Sequence, residues 1–169
     1  EDYLALGGYS ALAKALFELT PQKVLEEIKK ANLRGRGGGG FPAGLKWETT
    51  RNAPGEEKYV IVNAHEGEPG AYMDRAIFTG NPHLVLEGLI LGAYAIGARQ
   101  GFIYTRHDSP RLKDHIYRAL EQAQEYGFLG ENILGSEFTF HVEVHFDVGI
   151  FVSGESSALM RSIEGKNPE

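Results

Sequence analysis

Residues 35–40 read Gly-Arg-Gly-Gly-Gly-Gly, and neither a regular helix nor a regular strand tolerates such a run. Arg34, Arg36 and Lys46 bring positive charge to the stretch, and Phe41, Pro42, Leu45 and Trp47 come directly after the glycines. Glycine lets a flat or charged ligand approach the main chain, and successive backbone N–H groups suit an anion such as a phosphate. The alternative is a flexible linker, but linkers rarely set Phe, Leu and Trp beside their glycines. The segment reads as a ligand-binding loop.

Two familiar loop types fail on context. Gly35, Gly37 and Gly40 satisfy G-x-G-x-x-G, yet that fingerprint needs a strand before it and a helix straight after. Here residues 24–30 read as a helix, and Phe41-Pro42 breaks the chain direction just past the last glycine. A phosphate-binding P-loop fails as well, because Trp47 stands where Ser or Thr should come after the lysine.

The remaining chain predicts an α/β fold. Residues 9–18 and 21–31 read as two short helices. Thr20 is the expected N-cap of the second and Pro21 its first residue. Residues 45–51 predict a further short helix. The β-branched run at 58–63 predicts a buried strand, ending in the acidic turn Asn63-Ala64-His65-Glu66-Gly67-Glu68-Pro69-Gly70. Pro69-Gly70 suits a type II turn. Asn81-Pro82 opens an apolar helix to about residue 98. A second strand at 101–105, a helix capped by Ser109-Pro110 to 126, a third strand at 138–148 and a helix at 154–164 complete the order. Strands alternating with helices imply a parallel sheet with flanking helices, whose ligands bind beyond the C-terminal strand ends. The turns after residues 63 and 148 lie at that edge, and the glycine loop must fold over to join them.

On the third strand His141, Glu143, His145 and Asp147 share one face by period two. Such a face either ligates a metal or is solvated or covered by a partner. No further ligand cluster accompanies it, so no metal is assigned.

Three motifs together carry a family resemblance. Residues 34–47 resemble the R-G-R-G-G-A-G-F-P-T-G-L-K-W signature of the flavin- and NADH-binding 51 kDa subunit of respiratory complex I, a family that includes diaphorase subunits of NAD-linked hydrogenases and formate dehydrogenases. Val62 to Gly70 resembles its C-N-A-D-E-G-E-P-G segment. Gly154-Glu155-Ser156-Ser157-Ala158-Leu159 resembles its G-E-E-T-A-L segment, with Ile163-Glu164-Gly165 completing the motif. The resemblance implies a Rossmann-like FMN-binding domain over residues 34–169, preceded by a helical segment at 1–33, the whole forming one structural unit. Carried over by position, Gly35, Gly37, Lys46, Asn63, Glu66, Gly154 and Glu155 would line FMN. Phe41 would stack with the adenine of NADH, and Glu68 would contact the dinucleotide. Hydride would pass from NADH to FMN by positioning alone, with no acid–base residue on the protein. Electrons would leave to iron–sulfur subunits of a larger redox complex. Without those partners the subunit is not expected to turn over alone. A cofactor-poor assembly module of the same fold is the alternative. On the residues alone, Lys46 also reads as a surface lysine, and Glu66 and Glu68 as a solvated acidic turn.

The sequence departs from the family pattern at several positions. His65 replaces Asp, and Ser156 replaces the second Glu of G-E-E-T. Phe151 stands for a common Tyr, Thr49 for an aromatic, and Val62 and Ser153 for cysteines that hold no cluster. Acidic groups near a ribose favour NAD over NADP. Losing two carboxylates would relax that choice toward NADPH, or abolish dinucleotide binding while FMN binding survives.

Composition bounds the rest. At 169 residues, with 42% apolar and 11% aromatic side chains, the chain supports one globular domain. A net charge of −6 argues against nucleic-acid binding. With no cysteine, the sequence offers no disulfide and no thiolate-held iron–sulfur cluster. No apolar run approaches the roughly 18 residues of a membrane span, and no signal peptide is evident. The expected setting is the cytoplasm, as a piece of a longer polypeptide, at most in the peripheral arm of a membrane-associated complex.

Overall fold

The computed structural model describes residues 1–68, 70–107, 110–147 and 154–167. Strands β1 (Tyr59–Ala64), β2 (Gln100–Arg106) and β3 (His141–Asp147) form a parallel sheet in the order β1-β2-β3. The register pairs Asn63 with Tyr104 and Tyr104 with His145. All three strands therefore end at one edge of the sheet, as the alternating pattern predicts.

The connections are helical. Before the sheet come α1 (Asp2–Ala5), α2 (Ser10–Glu18), α3 (Pro21–Lys30) and α4 (Ala43–Asn52). Between β1 and β2 lie α5 (Met73–Gly80) and α6 (Pro82–Ile96); α7 (Pro110–Glu125) joins β2 to β3, and α8 (Ser156–Ile163) comes last. The capping signals act as read. The Thr20 hydroxyl accepts from the Lys23 N–H, and the Asn81 side chain accepts from the Leu84 N–H. Gly70 holds φ +84, the sign that a type II turn needs at its second corner, while Pro69 lies outside the described residues. Ser109, the expected cap of α7, also lies outside them.

The pleat sorts the sheet into two faces. Val60, Val62, Ile103, Val142 and Val144 turn toward α6 and α7. There they meet Leu86, Ile90, Ala93, Leu112, Ile116 and Ala119 in the main core. The opposite face carries Tyr104, fully buried, stacked on one side by His65 and on the other by His145. A smaller core under α3 joins Val24 and Leu25 to Ala15 and Ala95. Of the polar face read on β3, His141 and Glu143 are exposed, His145 is half-buried and Asp147 is buried. The described residues hold no group of three or more side chains fit to ligate a metal.

Two helices, α1 and α5, have no counterpart in the sequence reading, and β3 begins three residues later than expected. Residues 138–140 are taken instead by a separate bridge between Phe140 and Gly130. The N-terminal segment is fastened by one buried carboxylate. Glu87 of α6, 6% exposed, accepts from the N–H groups of Tyr9 (3.0 Å) and Leu12 (3.1 Å) and from the Tyr3 hydroxyl. Burial and the Glu87 charge push the hydroxyls of Tyr3 and Tyr9 above the ordinary tyrosine range.

Hydrogen bonds to a charged acceptor contribute about 1.5–3 kcal/mol, and an orphaned buried donor costs about 1–3. Glu87→Ala strands the Tyr9 and Leu12 amides and is expected to destabilise the fold by about 3 kcal/mol. Urea denaturation monitored by circular dichroism measures this; an unchanged midpoint refutes the fastening role.

Candidate functional site

The glycine loop closes at its base and stays open at its tip. Arg34 bridges Pro42 in antiparallel fashion, the Gly35 N–H donates to the Phe41 carbonyl at 3.0 Å, and the Ala43 N–H donates to the Leu33 carbonyl at 2.8 Å. The Arg34 guanidinium adds a bond to the Gly40 carbonyl. Gly38 (φ +103) and Gly40 (φ +58) make the turn that other residues resist. Nothing lies within 4 Å of where a side chain would begin at Gly37, Gly38, Gly39 or Gly40. The base thus fixes the entry to α4, and with it Lys46.

The three motifs converge on two adjoining clefts. The first, about 490 Å³, is lined by Lys46, Trp47 and Thr50 of α4, Tyr59, Ile61 and Asn63 of β1, and Ser156, Leu159 and Met160 of α8. The second, about 580 Å³, is lined by Gly37, by His65, Glu66, Gly67 and Glu68, by Met73 and Asp74 of α5, and by Gly154 and Glu155. Both lie within the roughly 300–1,000 Å³ range of small-molecule sites. Asn63 ties them together. Its Nδ2 donates to the Gly154 carbonyl at 2.7 Å, while its Oδ1 accepts the His65 N–H at 3.1 Å.

Glu66 and Glu155 each cap a helix. Glu66, its side chain 8% exposed, accepts the N–H of Asp74 at 2.8 Å at the head of α5 and pairs with the Arg75 guanidinium at 3.3 Å. It is not the solvated acid that the turn alone allows. Glu155 accepts the N–H groups of Ser157 (2.9 Å) and Ala158 (3.3 Å) and the Ser157 hydroxyl at the head of α8. The Ser157 hydroxyl first, then those amides, hold the Glu155 carboxyl below the ordinary glutamate range. Asp74 moves the other way: burial, then the Glu66 charge, push its carboxyl up.

The described residues place the sequence candidates unevenly. Lys46 and Asn63 share the first cleft; Gly37, Glu66, Glu68, Gly154 and Glu155 share the second. Gly35 and Phe41 line neither, Gly35 having spent its N–H on the loop base and Phe41 standing 52% exposed beside it. Thr49 is exposed on α4. Phe151 and Ser153 lie outside the described residues, as do Gly149 and Ile150 of the turn before Gly154. Sequence reasoning did not join Asp147 to the site, although its carboxylate meets His65 Nε2 at 3.1 Å, and it missed Met73 and Asp74. The period-two face of β3 contained the signal for Asp147; α5 gave none beyond a short apolar run.

The sequence that builds these clefts matches a family model. The Nuo51 FMN-binding domain model of the complex I 51 kDa subunits aligns with residues 28–169. The chain belongs to that family. It is 47% identical over 169 residues to the NADP-reducing hydrogenase subunit HndC of Solidesulfovibrio fructosivorans, covering all of this chain and 34% of that one. It is 46% identical over 167 residues to an NADH-quinone oxidoreductase subunit of Rhizobium meliloti, covering 99% and 40%. Among solved structures, an air-oxidised NAD+-reducing [NiFe]-hydrogenase superposes with a TM-score of 0.77 at 36% identity, covering 88% of this chain and 24% of that one. The chain thus spans between a quarter and two fifths of the length of these Nuo51-family relatives.

The Glu155 cap carries a pH signature. A depressed carboxyl stabilises above its unfolded value and loses that contribution as pH falls through the folded one. Protection of the Ser157 and Ala158 amides against hydrogen exchange is therefore expected to persist through the ordinary glutamate range and fade only below it. In Glu155→Gln the same amides should exchange faster at neutral pH and show no such acid step.

Proposed function

We propose that the chain is the FMN-binding, electron-input part of an oxidoreductase subunit, accepting hydride from NADH or NADPH and passing electrons to iron–sulfur partners. The observation that carries this reading is the convergence of three motifs, from residues 37 to 155, on two clefts strapped together by Asn63. The residues fit the cofactor. An unfilled glycine loop tip leaves backbone N–H groups for a phosphate, and Lys46 brings positive charge to the apolar first cleft. FMN, when bound, supplies the exchange between hydride and single-electron transfer.

The protein's task is to hold and orient. Asn63, Glu66 and Glu155 already spend hydrogen bonds within the protein, so much of their contribution is to fix the walls; each keeps a lone pair or N–H for a ligand. Lys46 favours an electron-rich occupant by charge. Glu68, exposed on the second cleft, would contact an entering dinucleotide, and Phe41, exposed beside the loop base and outside both clefts, would have to meet its adenine from there. Gly35 contributes through the loop base. Ser156 leaves the first cleft one carboxylate poorer than the family pattern, which favours acceptance of NADPH beside NADH. HndC is named as NADP-reducing, and its likeness supports the same choice. The described helices include none long and apolar enough to cross a membrane, which supports a peripheral, cytoplasmic placement. Residues 34–169 would form the cofactor-binding unit, with 1–33 as its helical preface.

The purified protein is expected to bind FMN with a flavin absorption spectrum, and Lys46→Gln to weaken binding about tenfold or more. A protein that stays colourless with added FMN supports the cofactor-poor assembly module instead. Flavin bleaching by NADH and by NADPH, measured separately, tests the dinucleotide choice; rapid bleaching by NADH alone removes the relaxed specificity.

Exclusion from the second cleft gives a second check. A Cβ at Gly154 would sit 3.2 Å from His65 Nδ1 and 3.3 Å from the His65 carbonyl. Gly154→Ala requires Gly154 or His65 to give by a few tenths of an ångström at the cleft wall. FMN affinity is expected to fall at least tenfold in fluorescence titration, with little change in the urea midpoint.

A further inference from the structure

His65 is a side chain of the second cleft to which the proposed FMN binding gives no task. Its imidazole is fully buried, and Nε2 lies 3.1 Å from Asp147 Oδ2, itself on a residue 4% exposed. Nδ1 is buried with no hydrogen-bond partner and lies under Gly154 on the cleft wall. A neutral imidazole that donates Nε2–H to Asp147 presents a bare lone pair at Nδ1. Leaving such an acceptor buried and unmatched is costly unless it has a use.

From β3, Asp147 faces the ring directly, and His145 reaches it through the stacked Tyr104 of β2. From the turn and α5, Glu66 and Asp74 line the same cleft, with Arg75 offsetting Glu66; before α8, Glu155 lines it too. Burial first, and then the Glu66 charge, hold the Asp74 carboxyl above the ordinary aspartate range. Further negative charge in the cleft meets a group able to neutralise it, at short range and with little solvent screening.

We propose that the His65–Asp147 pair takes up a proton when the flavin bound in the cleft is reduced, and so sets how the flavin potential depends on pH. The inference rests on the proposed FMN binding. The balance is simple. NADH or NADPH gives up a hydride, two electrons and one proton, to the flavin and leaves as the oxidised dinucleotide. The reduced flavin then carries one more negative charge. A proton from solvent binds Nδ1 of His65, the imidazolium keeps its bond to Asp147, and the cleft as a whole gains no net charge. By linkage, protonating His65 must make the flavin easier to reduce by the same factor.

The test is spectroelectrochemical titration of the FMN-loaded protein between about pH 5 and 8, the interval where imidazoles change charge. The wild type is expected to take up one more proton per electron pair than His65→Gln over part of that interval, seen as a steeper fall of potential with pH. Parallel lines for the two proteins overturn the inference while leaving the FMN reading intact. A wild type that binds no flavin sinks that reading, and the inference with it. Should His65→Gln fail to fold, the wild type alone decides. The His65 Cε1–H NMR resonance is expected to move to its imidazolium position on flavin reduction at neutral pH, and a resonance that stays put overturns the inference.

Discussion

The site depends on one side-chain amide. Asn63 lies one residue before the end of β1, paired with Tyr104 of β2, and its Nδ2 reaches the carbonyl of Gly154, 91 residues later. A single neutral hydrogen bond contributes only about 1 kcal/mol net. Its weight here comes from place rather than strength. It joins the turn after β1 to the turn before α8, and the two clefts meet across it. The parallel sheet makes the bridge possible by delivering the ends of β1 and β3 to one edge. Asp147 at the end of β3 then meets His65, which ties the turn after β1 to the third strand as well.

Helix heads form much of the surrounding wall. Acidic side chains from outside α5 and from the residue before α8 occupy their amides, so the carboxylates that look like ligands in sequence are also structural parts. This dual use fixes geometry without a large core at the site. Most of the apolar packing lies on the far face of the sheet, under α6 and α7.

The alternation of strands and helices was legible because its signals are local: β-branched runs for β1 and β2, Thr20-Pro21 and Asn81-Pro82 for two helix starts. α5 was not, since its cap comes from Glu66, eight residues before the amide it meets, and no adjacent residue announces it. The three motifs were readable as cleft residues, and five of the nine candidates share the second cleft. The contact between His65 and Asp147 spans 82 positions and belongs to the register of the sheet, which one-dimensional patterning leaves open. Gly35 and Phe41 show the opposite limit: their residue types suit ligand contact, but the loop's own ladder consumes one amide and turns the ring outward.

Glu87 has a consequence for how such a domain travels through evolution. The partners of its buried carboxylate, Tyr3, Tyr9 and Leu12, all precede the glycine loop. A gene fusion that replaced everything upstream of that loop would remove all three partners and leave Glu87 without the donors it binds here. The opening segment is therefore expected to be inherited together with the glycine loop, whose base it also joins through the Leu33 carbonyl.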